Sequence, residues 1–247
     1  MKVICAGFPK TGTKSLARAL RLLDYNAVYD YEEAIEFAFD DWEKIWNNQS
    51  TDVDSILEKI YSKNVEAVVD MPHSYHFEEF LKRWPSAKVI LMLREEDSWF
   101  TSFKNMLEQA ERDHKFYKFL QYICPTSKRL TRWHENMFLS TFGSIKPNPK
   151  KWKAAYRRHV AYVKSVVPKN QLLIYNIKQG WDPICEFLEK KIPDQPFPVE
   201  NKAGSKTSIA ERMINDSSVV KQIELEAKLF FGALSVVVAA ISIYFFL

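Results

Sequence analysis

Three stretches of the chain place charges and hydroxyls where an anionic ligand could be handled. The first is "GFPKTGTKS", Gly7 to Ser15. Its two glycines, Gly7 and Gly12, keep the spacing of a phosphate-cradling loop of the form G-x-x-x-x-G-K-[ST]. Thr13 stands where that loop carries its lysine, ahead of Lys14 and Ser15, and a second lysine, Lys10, follows Pro9 inside the loop. Backbone N–H groups between Gly7 and Ser15, those of Thr11, Gly12 and Thr13 among them, are expected to point at an anion, with the dipole of the following helix behind them. The second stretch is "REEDSWFTS", in which Arg94 is followed eight residues later by Ser102. A guanidinium and a hydroxyl so placed can grip one phosphate. The third is "VVDMPHSYH", which offers Asp70, His73 and His76 as proton acceptors. His73 and His76 lack a third ligand, so no metal is expected there.

The elements that must position these groups follow from hydrophobic periodicity. Apolar, β-branched runs at residues 2–7, 65–71, 87–94 and 171–177 read as four buried strands. Helical periods follow the glycine loop and recur in "YEEAIEFAFDDWEKIW", "VDSILEKIYS", "EDSWFTSFKNMLEQA", "WKAAYRRHVAYVKSVV" and "GWDPICEFLEKKI". Strands alternating with helices predict a parallel sheet covered on both faces. Ligands of such sheets bind beyond the carboxyl ends of the strands. The first three strands end at the glycine loop, at Asp70 and at Arg94, so the three stretches converge on one edge.

Composition sets the limits. Of 247 residues, 47% are apolar and 27% charged, which predicts a packed core. The net charge of +4 is too mild to indicate nucleic-acid binding and suits small anionic ligands. Cys5, Cys124 and Cys185 are odd in number and form no C-x-x-C pair, so three reduced thiols are expected. The opening "MKVICAGFPK" does not read as a signal peptide, because its apolar run is short and leads directly into the glycine loop. Leu229 to Leu247 carries no charge and, as a helix, spans roughly 28 Å, about the thickness of a bilayer's hydrocarbon core. The expected organisation is an α/β domain over 1–205, a polar linker or helix over 206–228 and a transmembrane anchor over 229–247. The expected topology is a single-pass tail anchor with the main domain in the cytosol and Lys221 and Lys228 on the cytosolic side. The N-x-S sequences at Asn48 and Asn215 read as chance occurrences.

Together the motifs resemble a known family. "PKTGTKSL" resembles the 5′-phosphosulfate loop of the sulfotransferases that use 3′-phosphoadenosine 5′-phosphosulfate (PAPS), and the R-x7-S spacing of Arg94 and Ser102 is similar to that family's 3′-phosphate site. "AAYRRHVAY" resembles the helix with a nucleotide-contacting tyrosine, here Tyr156. "LLIYNIKQGWDPICEFL" resembles a late strand–helix signature, and "PFPVEN" the closing segment of a short, compact branch. The resemblance covers about residues 1–205. It implies a three-layer P-loop-like α/β fold, a central parallel sheet flanked by helices, with PAPS as co-substrate and a small-molecule hydroxyl acceptor. It makes Lys10 catalytic and assigns the donor to Lys10, Thr11, Gly12, Thr13, Lys14, Ser15, Arg94, Ser102 and Tyr156. Many members that sulfate steroids and phenols use a histidine base. This chain reads D-x-P instead, and in the short branch an aspartate is the expected base. Asp70, His73 or neither therefore remain open. Trp42, Trp46, Trp99, Phe103, Tyr117 and Trp133 offer aromatic surface for an acceptor, or simply fill the core.

Two other readings use the same residues. "AVVDM" also looks like the aspartate strand of a Mg²⁺-dependent P-loop kinase, in which Asp70 and Ser15 share the metal. A catalytically inactive, tail-anchored scaffold is the third. Nucleotide preference separates them: 3′,5′-bisphosphate without Mg²⁺, ATP with Mg²⁺, or neither.

Overall fold

The structure, a computed structural model, describes residues 1–47, 49, 52–113, 115–200 and 217–246, without the side chains of 113, 117 and 243–246. Asn48, Asn201, Asn215, the expected linker as far as residue 216 and the Tyr117 side chain lie outside the described residues.

Five strands, β1 (Val3–Cys5), β2 (Val28–Tyr29), β3 (Ala67–Val68), β4 (Lys88–Met92) and β5 (Leu172–Tyr175), form one sheet in the order β2-β3-β1-β4-β5. All four pairings are parallel, with Ile4 opposite Val68 on one side and Val89 on the other. Apart from Lys88 at the start of β4, the strands β1, β3 and β4 are apolar throughout because both faces are covered. Alternate residues serve the two faces. Ile4, Val68, Val89 and Leu91 belong to one core cluster, while Val3, Cys5, Ala67, Ile90 and Met92 belong to the other.

The second cluster is closed by α1 (Thr13–Leu22) and α9 (Trp181–Leu188). The first is closed by α2 (Tyr31–Trp46), α3 (Asp54–Ser62), α4 (Phe77–Arg83), α5 (Glu96–Asp113), α7 (Pro125–Phe142) and α8 (Pro149–Val166). The short α6 (Lys115–Leu120) joins α5 to α7. Local signals fix several boundaries: an Asp30–Glu33 capping box starts α2, Asn148 and Pro149 start α8, and left-handed Gly143 ends α7.

The strand order fixes the place of the site. The connection leaving β1 passes through α1 to β2 on one side of the sheet. The connection leaving β4 passes through α5 to α8 and reaches β5 on the other side. The crevice at the carboxyl ends of β1 and β4 is therefore the topological switch point, where such sheets bind ligands.

The last element, α10 (Ser218–Phe246), is one continuous helix that runs across the expected boundary at 228/229. Its first turns are docked: Val220, Ile223 and Ala227 are buried, and Ile223 and Ala227 pack with Leu120 and Cys124. Glu226 accepts from the Thr126 N–H at 3.0 Å and from its hydroxyl at 2.6 Å. The Ser218 N–H donates to Glu36 at 2.9 Å. From Leu229 to Ser242 the side chains are exposed, and Ser218–Ser242 is long and apolar enough to cross a membrane. All three cysteines are free and buried.

Candidate functional site

The glycine loop leaves β1 and is tied down from several elements. Gly7 lies so close to β4 that a Cβ there would stand 2.4 Å from the Cβ of Met92, so only glycine lets the backbone pass. The Thr11 hydroxyl donates to the Phe8 carbonyl at 2.7 Å, and the Trp99 indole N–H donates to the Pro9 carbonyl at 2.9 Å. His159 bonds the Ala6 carbonyl at 2.7 Å and stacks on Phe8 with ring centroids 4.0 Å apart. Burial pushes this imidazole down to about 4, so it is neutral and uses its one N–H on that carbonyl. Gly12 is the N-cap of α1 at φ 111° and supplies no capping side chain, so the first-turn N–H groups have no side-chain cap.

Lys10 sits at the tip of the loop with φ 69°, a left-handed conformation unusual for a lysine. Burial lowers its pKa. Asp70 opposes that shift and Arg94 adds to it, so the three charges share one field. Asp70 follows β3, also left-handed at φ 64°, and its side chain is buried. One carboxylate oxygen accepts from the Thr13 hydroxyl at 2.7 Å, and the other accepts from the Met71 N–H at 2.8 Å. Burial raises the Asp70 pKa against the pull of Lys14 and of the Thr13 bond.

Thr13 therefore occupies the phosphate loop's usual lysine position and spends its hydroxyl on Asp70. Lys14, one residue later, is turned to the acidic start of α2. Its ammonium pairs with Asp30 at 2.9 Å and with Glu32. Burial works against the Lys14 charge, but Asp30, Glu32 and Asp70 outweigh it and hold its pKa up. Burial likewise opposes the Asp30 charge. Hydrogen bonds from Glu32 and the Lys14 charge hold Asp30 well below the usual carboxylate range, while burial and Asp30 itself push Glu32 up. Asp30, Glu32 and Glu33 gather their oxygens within 4.8 Å of one another, with the Lys14 ammonium against the first two. The Ser15 hydroxyl oxygen accepts from the Glu200 N–H at 2.9 Å, which latches the "PFPVEN" segment onto α1. Asp70 and Ser15 thus have separate protein partners, whereas a kinase would need both on one metal.

Arg94 leaves β4 beside the loop. One of its guanidinium nitrogens donates to the Lys10 carbonyl at 3.1 Å and another to the Ser98 hydroxyl at 3.0 Å. Arg94, Asp97, Ser98, Thr101, Ser102 and Asn105 line a single cleft of about 460 Å³. The R-x7-S pair of the sequence thus lines one cleft, with Ser98 between them as the hydroxyl that Arg94 bonds. Tyr156 packs against Arg94 at the edge of this cleft. Its hydroxyl donates to the Arg94 carbonyl at 2.8 Å and accepts from the Arg94 N–H at 3.1 Å, and its ring stacks on Trp99 at 4.5 Å.

His73 lies in the core, 1% exposed, its Nδ1 3.3 Å from the Val69 carbonyl and its ring against Trp42 and Phe80. Burial pushes it down to about 4. Trp42, Trp99, Phe103 and Trp133 are fully buried core residues, and Trp46 nearly so. Asp30, Glu32, Ser98 and His159 complete the site and were not singled out in the sequence. The D-x-x-E capping signature at Asp30–Glu33 is the local signal that marks Asp30; Glu32 lies inside it without one.

The family described as sulfotransferase domain matches residues 2–206. Ava biosynthesis cluster protein M of Aspergillus versicolor is 29% identical over 223 residues, 80% of this chain and 80% of that protein. The crystal structure of a sulfotransferase from Alicyclobacillus acidocaldarius aligns over 92% of this chain and 94% of its own, with 18% identity and a TM-score of 0.45.

Proposed function

Because the chain belongs to the family of sulfotransferase domains, we propose that it moves a sulfuryl group from PAPS to the hydroxyl of a small alcohol or phenol by in-line transfer. The observation that carries this reading is the convergence of Lys10, Asp70 and Arg94 on one loop at the switch point, where Arg94 donates to the Lys10 carbonyl and Thr13 donates to Asp70. Members of the family generally use PAPS, which supplies an activated sulfuryl group on a 5′-phosphate.

Asp70 is the base. It takes the acceptor's proton as the acceptor oxygen bonds to sulfur, and its apolar burial raises it toward the range where a carboxylate can do so. Lys10 neutralises the charge left on the 5′-phosphate oxygen when the S–O bond breaks. The amides of Thr11 to Ser15 hold the 5′-phosphate, and Arg94 and Ser102 hold the 3′-phosphate in their cleft. Lys14 acts one step removed, keeping Asp30 and Glu32 in place beside Asp70. Tyr156 holds the Arg94 backbone. His73 is the weaker candidate for the base, given its core position.

Residues 1–205 form the catalytic domain, 206–228 connect it and 229–247 span a membrane once, with the domain on the cytosolic face. The exposed apolar stretch and Lys221 and Lys228 ahead of it support this topology.

Transfer of labelled sulfate from PAPS to a panel of alcohols, phenols and amines, with and without a divalent-metal chelator, tests the reading. Product that forms equally in both conditions is expected. Mg²⁺-dependent phosphoryl transfer from ATP, with no sulfated product, would replace it by the kinase, and binding of neither nucleotide by the scaffold.

A further inference from the structure

The start of α10 and the corner between α6 and α7 share a small core of their own. Leu120 and Cys124 are buried against Ile223 and Ala227, and Glu226 binds both the N–H and the hydroxyl of Thr126. Ala227 precedes the uncharged run at Leu229 by two residues, and Ile223 precedes it by six. At about 1.5 Å per helical residue, the corner stands roughly 3–9 Å from the start of the apolar stretch. The headgroup layer on each side of a bilayer is about 5–8 Å thick. The corner therefore sits at headgroup depth if α10 spans.

Its outer surface suits that depth. Phe116, Phe119 and Tyr122 are 57%, 48% and 78% exposed, an unusual concentration of exposed aromatic surface in seven residues. Phe116 and Phe119 share one face of α6 by their spacing, and Tyr122 follows in the turn, with its ring 6.5 Å from that of Phe119. Lys115, Lys118 and Lys128 stand exposed around them, with Lys118 paired to Glu111. Aromatic rings flanked by lysines are the composition of segments that rest in the membrane–water interface.

We propose that the α6–α7 corner is a second membrane contact, with Phe116, Phe119 and Tyr122 inserted among lipid headgroups beside α10. The inference rests on the membrane-spanning reading of α10 and adds to it a fixed pose. The domain does not swing on a tether, because the helix that spans is the helix that docks.

Two measurements on the full chain separate the two readings. The chain is reconstituted into vesicles of phosphatidylcholine and phosphatidylserine and floated on a density gradient. An environment-sensitive fluorophore is then attached to Phe119→Cys or to Tyr122→Cys, with Lys190→Cys as the control. Nitroxide-bearing lipids should quench the labels at 119 and 122 by roughly two-fold or more, since interfacial apolar faces lie about 5–10 Å into the headgroup boundary, and should leave the label at 190 unchanged. A chain that floats while 119 and 122 stay unquenched overturns this inference and leaves the anchor standing. Labels at 119 that report on each other across two chains, shielded from lipid, also overturn it, because a second copy then covers the patch. A chain that fails to float overturns the anchor and this contact together.

Discussion

The hydroxyl of Thr13 donates to Asp70 across the carboxyl edge of the sheet at 2.7 Å. The residue that spoils the nucleotide-kinase loop is thus the one that holds the proposed base. The bond favours the ionised carboxylate against a burial that disfavours it. Thr13→Val should therefore raise Asp70 further. A hydrogen bond to a charged group contributes about 1.5–3 kcal/mol, so the acid limb of the kcat/KM profile should move up by about one to two pH units. Thr13→Ser should leave it in place. An unmoved limb in the valine variant would detach Thr13 from the chemistry.

Asp70→Asn should cut transfer by about 10²–10⁴-fold, the usual contribution of a general base, with little change in nucleotide affinity. It should also stabilise the fold at neutral pH. The folded Asp70 has a raised pKa, so the stability linked to its protonated form is full below the ordinary value of 3.8 and is lost as pH rises through the folded value. Asparagine stays neutral throughout. Melting temperatures should favour the variant at pH 7, and the advantage should disappear near pH 3.8.

Lys10→Ala should lower kcat by about 10²–10³-fold, the range for losing one electrostatic stabiliser, while the 3′,5′-bisphosphate still binds. Arg94→Ala should weaken the 3′,5′-bisphosphate far more than adenosine 5′-phosphate. Because the Arg94 guanidinium also holds the Lys10 carbonyl, this variant should lose turnover too. The two substitutions should be non-additive in a double-mutant cycle of kcat.

Acid works against the buried histidines. His73, His134 and His159 are all pushed down to about 4 by burial. Their neutral forms contribute stability that is present above the ordinary 6.5 and is lost as pH falls through the interval toward 4. Asp70, Glu32 and Glu33, whose carboxyls burial pushes up, work in the opposite direction, so the histidine share is read from a variant and not from the net profile. In urea midpoints at fixed ionic strength, His73→Gln should gain on the unsubstituted chain as pH falls from 7 to 5.

Truncation should depend on where it falls. A chain ending at Lys228 keeps the docked turns of α10 and should be active without the membrane. A chain ending at residue 217 uncovers Leu120 and Cys124 and loses the Glu226–Thr126 bonds. It should be less stable by about 2–5 kcal/mol, comparable with emptying one large core position. Denaturant unfolding of the two chains makes the comparison.

The parallel sheet was legible because its central strands are apolar at consecutive positions, and the site edge because three polar features each end such a strand. β2 escaped notice because Val28 and Tyr29 are only two residues, too few to show a period, and they pair only with β3. α6 left no such signal because Phe116 and Phe119 are exposed and do not join the core. That Arg94 and Ser102 line one cleft follows from their spacing, but the bond from the Arg94 guanidinium to Ser98 was not legible there. Nor was the direction of Lys14. It depends on Asp30 and Glu32, sixteen and eighteen residues away, which α1 and β2 bring back beside the loop. The same holds for Tyr156, whose hydroxyl finds a backbone sixty-two residues distant.

Lys10 and Asp70 both sit at positive φ. For a lysine, that conformation costs about 1–2 kcal/mol relative to glycine, and folding gains nothing from it. A lineage that kept this domain only as a platform would drift to glycine at position 10, and to asparagine or glycine at position 70, and would melt higher for it. This chain carries both awkward residues. Among its relatives the pair can serve as a diagnostic, separating those still under selection for sulfuryl transfer from those that have retired to a structural role.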